Sequence, residues 1–393
     1  MKTIRLKPAK ERALDRRHPW VFSGAIAKGG GDPGETVRVE ADDGRFLAWG
    51  AFSPSSQIRV RAWSFDEGER IDPAFFARRI ARALAYRARL AIPSDAFRLV
   101  HGEADGLPGL IVDRYADTLV VQFLSAGAER WREGVVRALA DATGAERIFE
   151  RSDASVRKLE GLEPRSGWVL GSEPTEVAII EHGWRFAVDV AEGHKTGHYL
   201  DQRDNRAVFR DWVRHGGIRT VLNGHAYTGG FAVAALAGGA SHVTSVDSSK
   251  PALEQARRHV ALNGFADTAV EFVAADVNAS LRGYLAEGRT FDAIVLDPPK
   301  FAASAAQVDR AARAYKDLNR IALKVLAPGG VLMTFSCSGA VSADLFHKIV
   351  ASAGTDASVD GYIARRLEAA PDHPTTLAFP EGEYLKGLVV VRC

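Results

Sequence analysis

Thr220-Val221-Leu222-Asn223-Gly224-His225-Ala226-Tyr227-Thr228-Gly229-Gly230-Phe231 decides the fold. The run Thr220–Asn223 is apolar and short enough for a buried strand. It breaks at Gly224 into a turn rich in glycine, and the small apolar residues Ala232–Ala237 then suit a helix. The order strand, glycine turn, helix repeats downstream. Strands are expected at His242–Asp247, Val270–Ala274, Phe291–Leu296, Val331–Phe335 and Leu385–Val391, with amphipathic helices between most of them. That alternation predicts an α/β fold with a parallel, doubly wound sheet, whose ligands bind beyond the carboxyl ends of the strands.

Those carboxyl ends carry the chemistry. Tyr227, Thr228, Gly229 and Gly230 form a turn whose glycines let the backbone approach a ligand, and the helix N-terminus behind them favours a carboxylate. The turn spells neither the dinucleotide fingerprint nor a P-loop. Asp247 ends the next strand, where an acid can accept two ribose hydroxyls. Asp276 follows the third, where a carboxylate can take the exocyclic amine of adenine. Three such strand ends suit an adenosine with an amino-acid tail, S-adenosylmethionine. The fourth strand ends in Asp297-Pro298-Pro299-Lys300, a rigid turn suited to holding a planar base, with a turn cap as the plainer reading of Asp297.

The fifth strand, Val331–Phe335, runs into Ser336-Cys337-Ser338-Gly339. Alone, a cysteine at a strand end is more often a small buried hydrophobe than a reactive thiol. Beside Asp297, in a sheet suited to S-adenosylmethionine, it fits methylation of a pyrimidine C5. That carbon becomes nucleophilic only after a thiolate adds to C6. Cys337 would be the nucleophile and Asp297 would hold ring N3 and the exocyclic group. Cys393, the other cysteine, lies at the chain end, and two cysteines make no disulfide framework or zinc site. His194 and His198 are four apart, but Gly197 between them argues against metal ligation.

Upstream the pattern differs. With 393 residues the chain exceeds one ordinary core. Its first 28 residues hold eight Lys or Arg against Glu11 and Asp15. Alternating segments at Thr36–Glu40, Arg45–Phe52 and Gln57–Trp63 then suggest a small β-barrel over residues 1–72. Basic and aromatic residues interleave there, as RNA binding or a solvated face would both have it. Over residues 73–178 an α+β domain is expected, opening on a helix from Pro73 to about Leu90 capped by Asp72. Phe76, Ile80, Leu84 and the stem of Arg87 are expected to form its inner stripe, with the charged heads of its arginines outward. The segment His101–Leu110 reads as a structured loop. Residues 179–393 form the third domain, led by a hairpin about His182-Gly183.

A net charge of +2 leaves only local basic patches for nucleic acid. No apolar run reaches the roughly 18 residues of a membrane span. The N-terminus lacks a signal-peptide core, so a cytoplasmic protein without membrane or metal partners is expected.

Motifs along nearly the whole chain carry a family resemblance. Arg16-Arg17-His18-Pro19-Trp20-Val21-Phe22-Ser23-Gly24 resembles the start of PUA domains attached to RNA-modifying enzymes. Lys195-Thr196-Gly197, Tyr199-Leu200-Asp201-Gln202-Arg203, Tyr227–Phe231, Asp297-Pro298-Pro299-Lys300-Phe301, Tyr315-Lys316-Asp317, Phe335-Ser336-Cys337-Ser338 and Tyr384-Leu385-Lys386 resemble bacterial 23S rRNA 5-methylcytosine methyltransferases of the RlmI type. The resemblance implies a PUA domain, a central domain and a class I methyltransferase domain with a seven-stranded Rossmann-like sheet. It also implies S-adenosyl-L-methionine as cofactor, held at Tyr227–Gly230, Asp247, Asp276 and Asp297, with Cys337 as nucleophile. The implied partner is 23S rRNA or a large-subunit precursor, met through Arg16, Arg17, Trp20, Arg203, Pro298 and Lys300, with a homodimer left open. Where this family usually carries an apolar or aromatic pair, the chain has Gly224-His225, which bears on packing under the cofactor. Two other readings stay open: an RNA uracil-5 methyltransferase, although Ser338-Gly339 replaces the Asn-Pro that such enzymes carry after the cysteine, and a non-catalytic RNA-binding or ribosome-assembly factor with a degenerate cofactor site.

Overall fold

The computed structural model describes residues 2–302 and 304–393. They form two compact units, one of Met1–Gly183, Ala187–Leu200 and Pro371–Gly382, the other of Trp184–Phe186, Asp201–Ala370 and Glu383–Cys393.

The first unit holds two sheets. Six short strands, Thr3–Leu6, Trp20–Phe22, Ile26–Lys28, Thr36–Glu40, Phe46–Phe52 and Ile58–Ser64, make one, and five strands between Ala96 and Leu170 make the other. The first sheet encloses its own core of Ile4, Leu6, Val37, Val39, Ala48 and Val60. Ala51 and Trp63 of the first pack in one cluster with Phe75, Phe76, Ile80 and Val112. The helix Pro73–Ala88 begins as its sequence dictates, with the Asp72 side chain accepting from the Phe75 amide at 3.0 Å. Of its arginines, Arg78, Arg82 and Arg89 are exposed as expected, while Arg79 is partly buried and Arg87 is buried along its whole length. Arg87 donates to Asp105 at 2.6 Å, Arg82 donates to the Asp105 carbonyl, and Arg79 pairs with Glu69 at 3.1 Å. The stem of a long polar side chain covers apolar surface while its head finds a buried acceptor, so charge alone does not mark an outward face. Asp105 also accepts from the His101 amide, which makes His101–Leu110 a structured loop.

The second unit is the doubly wound sheet. Its strands lie in the order Val270–Ala274, His242–Asp247, Thr220–Gly224, Phe291–Leu296, Leu326–Ser336, Lys386–Arg392, Gly361–Glu368. The first five run parallel and Lys386–Arg392 runs antiparallel to both neighbours. The order reverses at Thr220–Gly224, so a crevice opens beyond its carboxyl end, where α/β sheets bind ligands. Leu222, Ile294, Leu296, Leu332 and Phe346 lie in the core beneath it.

Two elements of the second unit were not foreseen. The helix Arg203–Gly216 buries Arg203, Asn205 and Arg206 together with Phe209 and Val213, so its inner face is half polar and its apolar period is masked. The strand Gly361–Glu368 buries only Leu367, as an exposed edge strand does. The foreseen hairpin is present as Glu176–Glu181 and Trp184–Asp189, with His182 and Gly183 both at positive φ in the turn. No helix among the described residues is long and apolar enough to cross a membrane.

Candidate active site

The turn after Thr220–Gly224 is built by packing. The backbone at Gly229 has φ +77°, and a Cβ there would meet that of Ala256 at 2.8 Å; one at Gly230 would meet Arg206 Cδ at 2.9 Å. The neighbouring helices leave little room for a side chain at either position, a packing reason for glycine beside the expected close approach to a ligand. His259, on the helix Lys250–Leu262, fixes the turn from behind. Its Nδ1 lies 2.7 Å from the Thr228 carbonyl and its Nε2 3.2 Å from Gln255 Nε2, which sets the tautomer with the proton on Nδ1.

Asp247 faces this turn. Its Oδ2 accepts from the Tyr227 amide at 2.9 Å and its Oδ1 from the Ser249 amide at 2.8 Å. Each carboxylate oxygen has a further lone pair, so the same carboxylate can accept two hydroxyls. Just beyond the adjacent strand Val270–Ala274, Asp276 caps the helix Val277–Ala286 through Oδ1, which accepts from the Ala279 amide at 2.8 Å. His225, at φ +59°, sits among these groups. Burial pushes its imidazole down to about 4 from an ordinary 6.5, against the opposite pull of Asp247 and Asp276, and so keeps it neutral. Its Nδ1, and Nδ2 of the fully buried Asn223, have no hydrogen-bond partner among the described residues. Two orphaned buried polar atoms beside two carboxylates fit a ligand with both donors and acceptors. An adenosine with an amino-acid tail is such a ligand.

The second half of the site lies across Phe291–Leu296 and Leu326–Ser336, paired with Leu296 opposite Thr334. Asp297 Oδ2 accepts from Gln202 Nε2 at 3.0 Å, and Gln202 Oε1 accepts from Asn205 Nδ2 at 2.6 Å. Cys337 is half-buried, its thiol 3.9 Å from the Pro298 carbonyl. The turn around it is fastened at several points. The buried Tyr315 hydroxyl lies 3.0 Å from Ser336 Oγ and 3.1 Å from Ser338 Oγ. Ser338 Oγ also accepts from the Ala302 amide at 3.1 Å. The buried Lys386 donates to the carbonyls of Ser338 at 2.7 Å and Val341 at 2.6 Å. No role for Tyr315, Gln202 or Lys386 was foreseen, since each lies far from Cys337 in sequence and only strand order brings them together.

Two expected RNA contacts are corrected. Arg203 is fully buried against Asp204, its guanidinium 2.9 Å away, and cannot reach a macromolecule from there. Pro298 is buried, with its carbonyl facing the Cys337 thiol, which leaves Pro299 and Lys300 as the exposed residues of that turn. In the first unit Arg16 and Arg17 are exposed, while Trp20 is half-buried, donating to Glu103 at 2.8 Å with its ring 4.7 Å from that of Phe379. No group of three or more His, Cys, Asp or Glu among the described residues could hold a metal ion.

Comparison with known proteins agrees with this geometry. Residues 106–387 match the model of the S-adenosylmethionine-dependent methyltransferases and residues 4–65 that of the PUA-like domain. The "Ribosomal RNA large subunit methyltransferase I" of Shewanella amazonensis is 53% identical over 391 residues, 98% of either chain. That of Klebsiella pneumoniae is 49% identical over 387 residues, 97% of this chain and 96% of its own. Among solved structures, a SAM-dependent methyltransferase from Streptococcus mutans covers 100% of both chains with a TM-score of 0.85 at 22% identity. A methyltransferase complexed with SAH aligns over 100% of both with a TM-score of 0.87, also at 22% identity. With a PUA-like N-terminal domain and S-adenosylmethionine as its cofactor, the chain belongs to the ribosomal RNA large subunit methyltransferase I family.

Proposed function

We propose that the chain methylates C5 of a cytosine in 23S ribosomal RNA, or in a large-subunit precursor, with Cys337 as a covalent nucleophile. The shared name of its relatives supports ribosomal RNA as the substrate class. The observation that carries the chemistry is the pairing of a half-buried thiol in a fastened turn with Asp297 at the end of the adjacent strand. Bound S-adenosylmethionine supplies an electrophilic methyl group. Asn223, His225, Asp247 and Asp276 are the residues that would hold it. Asp297, oriented by Gln202, accepts from the exocyclic amine of the base and aligns the ring. The Cys337 thiolate adds to C6, and the electron pair so released makes C5 a nucleophile. After methyl transfer the C5 proton leaves to a base, and the sulfur departs from C6 with its electron pair. Exposed Arg16, Arg17 and Lys300 supply phosphate contacts.

Substrate RNA carrying 5-fluorocytidine tests this route, because a C5 fluorine cannot leave as a proton. A methylated adduct on the Cys337 peptide is the expected product in mass spectrometry, and none should form with Cys337→Ala. An adduct on another residue, or full turnover by Cys337→Ala, would remove Cys337 from the reaction.

A further inference from the structure

We propose that Lys386 is the positioning residue of this site, fixing the turn that carries Cys337 and holding the sulfur as its thiolate. The inference rests on the reading of Cys337 as the nucleophile and assigns the group that prepares it.

Lys386 begins the antiparallel strand Lys386–Arg392 and lies opposite Ser336, the residue before Cys337. It is only 6% exposed. Burying an ammonium is costly unless it is hydrogen-bonded and its charge is balanced. Two of its protons are taken by the carbonyls of Ser338 and Val341, the first of which lies one residue beyond Cys337. Carbonyl dipoles satisfy hydrogen bonds but do not neutralise a charge, and no carboxylate lies within ion-pair distance of Lys386 among the described residues. A lysine whose only job was to pin a turn could be replaced by a neutral donor at lower cost. A thiolate on the same turn supplies the missing negative charge.

The surrounding charges fit this role. Burial drives the ammonium down to about 8, while Cys337 and Glu383 pull it back up and Lys300 pushes it down. Glu368, opposite Lys386 on the other neighbouring strand, is exposed, and Asp297 is held by Gln202. Tyr315, beneath the turn, has its hydroxyl raised by burial and stays neutral. Lys386 is therefore the buried cation of this turn, and below about pH 8 it is an ammonium. In the proposed step the Cys337 S–H bond breaks, its proton passes to solvent, and the sulfur keeps the electron pair beside the ammonium. By linkage, each charge favours the other.

The pH dependence of Cys337 alkylation by iodoacetamide, followed on its own peptide in the full-length chain, tests this without RNA or cofactor. Lys386→Met should raise the alkylation midpoint by about 1–3 pH units, the usual effect of losing an adjacent opposite charge, and Lys386→Arg should restore it. An unchanged midpoint in a folded Lys386→Met would overturn the proposal. Should that variant not fold, NMR titration of Lys386 in wild type and Cys337→Ser decides the matter. Coupling requires the lysine to lose its proton at lower pH once the thiol is gone, and identical titrations would refute it. Because alkylation needs no methyl transfer, a Lys386 effect with an active Cys337→Ala would fault the nucleophile assignment alone.

Discussion

The Cys337 turn and the Gly224–Gly230 turn end strands two positions apart in one sheet, and they are built in opposite ways. Around Cys337 the polar groups satisfy one another: Tyr315, Ser336, Ser338, Ala302 and Lys386 close a connected network. At the other turn two deeply buried polar atoms, Asn223 Nδ2 and His225 Nδ1, have no partner among the described residues. A satisfied network fixes a reactive group without help. Unsatisfied polar atoms cost stability in the protein alone and return it when a ligand bonds them. The contrast fits the proposed division of labour, in which one turn presents the nucleophile and the other holds the cofactor.

Breaking the cofactor side should produce the larger effect. Asp247→Ala removes the carboxylate that both orients Tyr227 and suits two ribose hydroxyls. At about 1.5–3 kcal/mol for each bond to a charged group, calorimetry should show S-adenosylmethionine affinity falling about tenfold or more. Unchanged affinity would take Asp247 out of the pocket. On the nucleophile side, Tyr315→Phe deletes one hydroxyl and takes one hydrogen-bond partner from each of Ser336 and Ser338. Denaturant unfolding should register a loss of about 1–3 kcal/mol, with cofactor affinity unmoved.

A smaller effect, of opposite signs, is expected from His225→Phe. Removing an unpartnered buried nitrogen should raise the stability of the protein alone by about 1 kcal/mol while weakening the cofactor by a similar amount. Equal shifts in both would show that His225 faces no ligand. The same variant should flatten an acid-side dependence. The folded imidazole titrates near 4 and the ordinary one at 6.5, so between those values the unfolded chain binds more protons. His225 therefore costs wild type stability as pH falls from 6.5 through 4, and unfolding midpoints across that range should lose this component in His225→Phe.

Much of the second unit was legible because its cues are local and apolar. Buried strands such as Phe291–Leu296 announce themselves as continuous hydrophobic runs between turns, and acids at their ends follow at once. The Asp72 cap was equally plain. What escaped notice was polar and inward-facing: Arg203, Asn205 and Arg206 on one helix, the buried head of Arg87 on another, Lys386 on a strand. A sequence shows that a residue is charged, but whether a buried partner offsets its desolvation depends on residues scores of positions away. The glycines of the Gly224–Gly230 turn have a second reason that the sequence did not show, since neighbouring residues also crowd a Cβ there. The edge strand Gly361–Glu368 was hidden because edge strands avoid the alternation that reveals inner ones.

The most direct test is nucleoside mass spectrometry of large-subunit ribosomal RNA after incubation with S-adenosylmethionine and either the wild-type chain or Cys337→Ala. A thiolate route on cytosine predicts 5-methylcytidine with the first and none with the second; 5-methyluridine, an N-methylated base, or 5-methylcytidine made equally well without Cys337 would contradict it.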